Sequence, residues 1–164
     1  MGCLMIVLTG AAVGYLQSKR LTARTLFFEE YQKFLSELTL QIRYDSSSLE
    51  RILEKFSDYR RLAPVLRICR EKIQEGNSFF ESWRQGVGKL SKDNGLLKGD
   101  IELLLDLGKG LGISDLEGQL SHLKLNSELT KLRLEGAREC KVKKGKLYQM
   151  LGLSLGITTA LLFL

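Results

Sequence analysis

The residue types that could support catalysis are few and scattered in this sequence. Its one histidine, His122, occupies a helical position, and the residues around it do not indicate a locally assembled Ser-His-acid arrangement. The acidic residues include no pair set apart from the ordinary surface charges. We therefore predict that the chain is not an enzyme and binds no cofactor, while an enzyme that uses lysines or carboxylates alone remains open as an alternative.

The cysteines do not form a metal or disulfide pattern. Cys3, Cys69 and Cys140 are odd in number and far apart, and none belongs to a CxxC pair. Cys69 lies among apolar residues in a helical pattern, so we expect it to be a small buried hydrophobic residue. The sequence predicts neither a metal site nor a disulfide framework.

The segment LGKGLGISD, residues 107–115, has the glycines of a phosphate-binding loop but not its order. Such a loop follows a strand and ends in Gly-Lys-Ser/Thr at the start of a helix, whereas Lys109 precedes this turn and a helix precedes the segment. We interpret the segment as a corner between two helices. Gly108 and Gly112 would shape the turn, and Ser114 and Asp115 would cap the next helix, with a functional contact at Asp115 as the alternative.

The polar middle of the chain is predicted to be all-α. Apolar residues recur at three and four positions from Phe27 to Ile42, which indicates one amphipathic helix running from the apolar start of the chain to about Tyr44. Further helices are predicted over residues 49–56, from Pro64 to Gly76, from Ser78 onward, over 96–107, and from Ser114 toward the C-terminus. Expected capping boxes pair Ser47 with Glu50, Ser78 with Glu81, and Ser114 with Glu117. Phe79, Phe80 and Trp83 are expected to fill the core, with a binding surface as the alternative.

The two ends of the chain carry no charged side chain. All 25 Lys and Arg and all 19 Asp and Glu lie between Lys19 and Lys146. Each uncharged end is about 27 Å long as a helix, a short but adequate span for a bilayer core of roughly 30 Å. We predict a transmembrane helix over 1–18, a cytoplasmic helical domain over 19–146 and a second transmembrane helix over 147–164, with buried core helices as the alternative for the two ends.

Basic residues border both predicted spans on their inner sides. They are Lys19, Arg20, Lys141, Lys143, Lys144 and Lys146. Because positive flanks stay in the cytoplasm, both termini are expected outside and the domain inside. The net charge of +6 suits an anionic lipid surface, and no nucleic acid partner is predicted.

Each predicted span also contains two glycines four residues apart, Gly10 with Gly14 and Gly152 with Gly156. Such pairs lie on one helix face and let two backbones approach closely in lipid. We expect the spans to pack on each other or on a membrane partner, with chance spacing in a glycine-rich chain as the alternative.

The sequence LDLGKGLGISDLEGQLSHLKL, residues 105–125, resembles the corresponding stretch of the stage III sporulation protein AB family of spore-forming Firmicutes. The matching positions include Gly108 and the LGxSD-x3-Q core, which is the most specific part and consists of Leu111, Gly112, Ser114, Asp115 and Gln119. The similarity extends to the apolar start, the basic border at Arg20, the region around Ser78, Glu81 and Trp83, and the apolar end.

This resemblance implies a subunit of the channel complex between mother cell and forespore, in the outer forespore membrane on the mother-cell side. The family's cytoplasmic domain is similar to the F-type platform proteins of type II secretion and type IV pilus machines. By that analogy the partners are the secretion-type ATPase of the same operon, stage III sporulation protein AA, other channel membrane proteins and the lipid bilayer. The function expected is a non-enzymatic platform or adaptor. A soluble helical-bundle interaction protein and a membrane enzyme with an unassigned site are the alternatives.

Overall fold

The structure, a computed structural model, describes residues 2–44, 49–56, 59–90, 94–112 and 115–162, without the side chains of 2–14, of residue 50 and of most of 145–162. These residues form six helices and no strand: α1 Gly2–Tyr44, α2 Leu49–Glu54, α3 Ala63–Gln74, α4 Phe79–Gly88, α5 Lys98–Gly110 and α6 Leu116–Leu162. The predicted all-α bundle of about six helices is confirmed for this part of the chain.

The two long helices, α1 and α6, pack side by side and antiparallel. Arg138 donates to Glu29 at 2.7 Å, and Gln32 donates to Ser127 at 2.6 Å. Residues later in α1 therefore contact residues earlier in α6. Both helices are continuous, and this register therefore brings the apolar start of α1 and the apolar end of α6 to one end of the molecule. We call this the apolar end, and we call the opposite end, formed by residues 36–44 and 115–121, the distal end.

Within the described residues, none of the helices has an apolar stretch of the length and hydropathy that a membrane crossing requires. The predicted packing positions Gly10, Gly14, Gly152 and Gly156 and the border residue Lys146 lie outside the part of the chain whose side chains are described.

Aromatic side chains of α1 form the centre of the core. Phe27, Tyr31 and Phe34 are fully buried on one face of that helix. Trp83 of α4 stacks on Phe34 with ring centroids 5.8 Å apart, and its indole Nε1–H donates to the Leu104 carbonyl at 2.6 Å. A buried tryptophan needs such an acceptor for its one polar atom. The predicted core role of Trp83 is confirmed.

Local signals define the ends of the short helices. Gly76, at φ +90°, ends α3, and the Gly76 and Asn77 amides donate to the carbonyls of Ile73 at 2.9 Å and Lys72 at 3.1 Å. Ser78 caps α4 by accepting the Glu81 amide at 3.3 Å. The Glu81 carboxylate accepts two hydrogen bonds from Arg84 instead of completing the capping box, and these bonds, with one from Gln85, lower its pKa to about 2. Ser47 and Ser114, the other two predicted caps, lie outside the described residues.

Helix α5 extends three residues beyond its predicted end at Leu107, so that Gly108 and Gly110 belong to the helix and not to the turn. These two glycines allow close packing of neighbouring helices. A Cβ on Gly108 would lie 2.8 Å from Cδ1 of Trp83, and a Cβ on Gly110 would overlap the imidazole of His122. The absence of side chains at these positions lets α4 and α6 approach α5 closely.

Candidate functional site

The corner between α5 and α6 lies at the distal end, and its residues hold one another in place. Gly112 adopts φ +78°, a conformation that favours glycine. Its amide lies 3.4 Å from Oε1 of Gln119, and Oδ1 of Asp115 accepts the Gly118 amide at 3.0 Å, which caps α6. Leu111 is buried beneath this corner. Ser114 lies outside the described residues. Gly112, Asp115 and Gln119 make contacts within this corner, whereas Gly108 lies in α5.

His122 also belongs to the corner. Its Nε2 lies 2.9 Å from the carbonyl oxygen of Asp106, and its ring packs against Gly110. The contacts fix α6 against the last turns of α5. The histidine thus acts as a packing and hydrogen-bonding residue in this arrangement.

An open groove runs between the last turns of α1 and the first turns of α6, with a volume of about 630 Å³. We call it the distal groove. Its lining residues are Ser36, Thr39, Leu40, Arg43, Glu117, Leu120, Ser121, Lys124, Ser127 and Glu128. The lining residue Leu40 is 55% exposed, and Tyr44 and Leu116, which are adjacent in sequence to the lining residues Arg43 and Glu117, are 79% and 50% exposed. Exposed apolar side chains among charges of both signs are typical of a surface that binds a protein partner.

Metal and thiol chemistry have no support in this part of the chain. The described residues contain no group of three or more His, Cys, Asp or Glu side chains that could hold a metal ion. Cys69 is fully buried, and burial raises the pKa of its thiol to about 12. The thiol therefore stays protonated at neutral pH and is a poor nucleophile.

A buried ion pair joins the domain to the helix that leads to the apolar end. Arg24 of α1 donates to Asp100 of α5 through Nε at 2.7 Å and Nη2 at 2.9 Å, and the two residues are 8% and 0% exposed. Asp100 also accepts the Leu97 amide at 2.9 Å, so one carboxylate holds both the start of α5 and its position on α1.

Neither partner of this pair was singled out from the sequence as a structural contact. Asp100 occupies the third position of α5, where an acidic residue is favoured by the helix dipole, and that is a usable signal. Arg24 offers no comparable signal, because it lies in a run of basic residues at the predicted membrane border.

The predicted border residues Lys19, Arg20, Lys141, Lys143 and Lys144 are all exposed near the apolar end. The loop before α5 packs against this region, since a Cβ on Gly95 would collide with the backbone carbonyl of Arg20. Positive charge is therefore concentrated where the uncharged ends of the chain begin.

Comparison with known proteins assigns this helical bundle to a family. The family model for stage III sporulation protein AB matches residues 1–164. The chain belongs to the stage III sporulation protein AB family. It is 23% identical over 167 residues to stage III sporulation protein AB of Bacillus subtilis (strain 168), a match that covers 100% of this chain and 98% of that protein.

A solved structure of stage III sporulation protein AB (SpoIIIAB) has the same fold. It superposes with a TM-score of 0.64 at 21% identity, over 74% of this chain and 98% of the solved chain. The resemblance seen in residues 105–125 is thereby confirmed, and membership in the stage III sporulation protein AB family gives the bundle a role in sporulation.

Proposed function

We propose that this member of the stage III sporulation protein AB family is a non-enzymatic membrane adaptor that couples a secretion-type ATPase, stage III sporulation protein AA, to the channel between mother cell and forespore. Residues 1–18 and 147–164 span the outer forespore membrane, and residues 19–146 face the mother-cell cytoplasm. In this role the bundle is a platform similar to the F-type proteins of type II secretion and type IV pilus machines.

The membrane part of the proposal is supported by charge and register. The first 18 and last 18 residues carry no charge, and the antiparallel pairing of α1 with α6 brings these two stretches to the same end. Lys19 and Arg20 on α1 and Lys141, Lys143 and Lys144 on α6 lie exposed beside them, where they suit the anionic inner surface of a bilayer.

The adaptor part is carried by the position of the distal groove. Leu40 is 24 residues along α1 from Leu16, which corresponds to about 36 Å of helix. A partner bound in the groove would therefore remain in the cytoplasm, well clear of the membrane. The groove combines the exposed Leu40 with the cations Arg43 and Lys124 and the carboxylates Glu117 and Glu128, as expected for a reversible protein contact.

Binding of the ATPase to the full chain in lipid nanodiscs tests the proposal. We expect Arg43→Glu and Leu40→Asp each to weaken binding by at least about tenfold, equivalent to 1.4 kcal/mol. Lys98→Glu is the matched control, because Lys98 is 94% exposed at the start of α5, outside the distal groove. Equal affinity of all three variants and the parent chain would show that the ATPase does not bind in the distal groove. If the parent chain does not bind the ATPase even at low salt, the coupling role is rejected.

A further inference from the structure

The outer face of α6 carries an apolar stripe that this chain leaves uncovered. Leu125, Leu129 and Leu132 are spaced by four and three residues and are 57%, 39% and 65% exposed. The core-facing residues of the same stretch, including Asn126 and Thr130, are buried on the other side of the helix. The spacing of the leucines is that of the a and d positions of a coiled coil.

Gly136 continues the stripe four residues beyond Leu132, and the chain's own packing does not explain it. A Cβ at Gly136 would meet nothing within 4 Å, although glycine in the middle of a helix such as α6 is destabilising. Gly108 and Gly110 differ, since a Cβ there would meet Trp83 or His122. The close approach of another helix along the stripe would account for a glycine at position 136.

The charges beside the stripe favour an identical helix in parallel orientation. Glu128 and Arg133 take the g and e positions of the heptad, and in a parallel pair the g residue of one helix faces the e residue five positions later in the other. Two Glu128–Arg133 pairs would then form across the interface. An antiparallel pair would instead place Glu128 near Glu128 and Arg133 near Arg133.

Both charged residues are accessible for such pairing. Lys131 contacts Glu128 at 2.8 Å and lowers the pKa of that carboxyl group, and Arg133 lies 4.0 Å from Asp100. The side chains of Glu128 and Arg133 are nevertheless 58% and 47% exposed. Contacts this exposed are weak and can be shared or exchanged.

We propose that α6 of a second copy of this chain packs in parallel along the stripe formed by Leu125, Leu129, Leu132 and Gly136. The parallel direction is also the one that two copies anchored in one membrane would share, a point that rests on the proposed function. A stripe of about two heptads is smaller than the roughly 800 Å² per partner of a standard interface. The association is therefore weak in dilute solution and is favoured when two copies are held close together.

Disulfide cross-linking of the full chain tests this contact, in detergent and in lipid vesicles and without any ATPase. The background carries Cys3→Ser and Cys140→Ser, and Cys69 remains because it is fully buried. Leu132→Cys places a thiol in the stripe, and Lys124→Cys places an exposed thiol on another face of α6. We expect dimers from Leu132→Cys to form at least about tenfold faster, and equal rates would overturn the proposal.

Two further changes separate the contact from an effect on folding. Gly136→Leu should raise the melting temperature of the chain, because it removes a helix-interior glycine, yet slow cross-linking through Leu132→Cys severalfold. Glu128→Lys should slow it as well, and mixing chains with Glu128→Lys and chains with Arg133→Glu should restore the rate in the mixed pair. Cross-linking that is insensitive to both Gly136→Leu and Glu128→Lys would overturn the parallel register. Because the ATPase is absent, its failure to bind would leave this result unaffected.

Discussion

Removing one charge from the buried pair of Arg24 and Asp100 should strongly destabilise the domain. Asp100→Asn keeps the shape of the side chain and an oxygen that can accept the Leu97 amide, but it leaves the Arg24 guanidinium, which is 8% exposed, without a counter-charge. Removing one partner of a buried ion pair costs about 3–5 kcal/mol, and the retained hydrogen bonds favour the lower end of that range, about 3 kcal/mol. This is a large fraction of a total unfolding free energy of roughly 5–15 kcal/mol.

Urea unfolding of the full chain in detergent, followed by circular dichroism, measures this loss. The control is Glu29→Gln, which breaks the Arg138–Glu29 pair of 2.7 Å whose side chains are 56% and 40% exposed, and which should cost less than about 1 kcal/mol. Replacing both charges, with Arg24→Met and Asp100→Leu, should recover most of the stability except about 1 kcal/mol for the unpaired Leu97 amide. A loss from Asp100→Asn no larger than that from Glu29→Gln would refute the reasoning.

Three other predictions concern the corner between α5 and α6 and the buried Cys69. Gly110→Ala should lower the free energy of urea unfolding by about 1–3 kcal/mol, because its Cβ would overlap His122. Asp115→Ala should cost about 1 kcal/mol through loss of the α6 cap and leave ATPase affinity unchanged, whereas lost binding at intact stability would make Asp115 a contact residue. Burial raises the pKa of Cys69 from 9.0 to about 12. The free energy of unfolding should therefore be highest below pH 9 and fall as the pH rises toward 12, by up to about 1.4 kcal/mol per pH unit. Cys69→Ala should reduce this dependence on pH in urea titrations.

Features set by neighbouring residues could be predicted from the sequence. The turn at Gly76, the cap at Ser78 and the continuity of α1 to Tyr44 all depend on contacts within a few residues of one another. The core position of Trp83 followed from the small number of large side chains available to fill the domain.

Features set by distant residues could not be predicted in this way. Arg24 and Asp100 are 76 positions apart, and only the tertiary fold, which brings the start of α5 beside α1, makes them partners. The glycines of residues 107–115 indicate a turn because glycine is common in turns, whereas the structure places Gly108 and Gly110 in α5, where Trp83 and His122 pack against them. The distal groove likewise exists only because the end of α1 meets the start of α6.

Topology tests the central claim of a membrane adaptor most directly. Cells expressing the full chain would be fractionated and treated with a membrane-impermeant maleimide. The single reporters are Cys3, Lys98→Cys and Leu164→Cys, all in a background without Cys140, and Cys3→Ser accompanies the last two. The proposal predicts that the chain is in the membrane fraction, that both terminal reporters are labelled from outside, and that the reporter at position 98 is labelled only after permeabilisation. A chain in the soluble fraction, or external labelling at position 98, would contradict it.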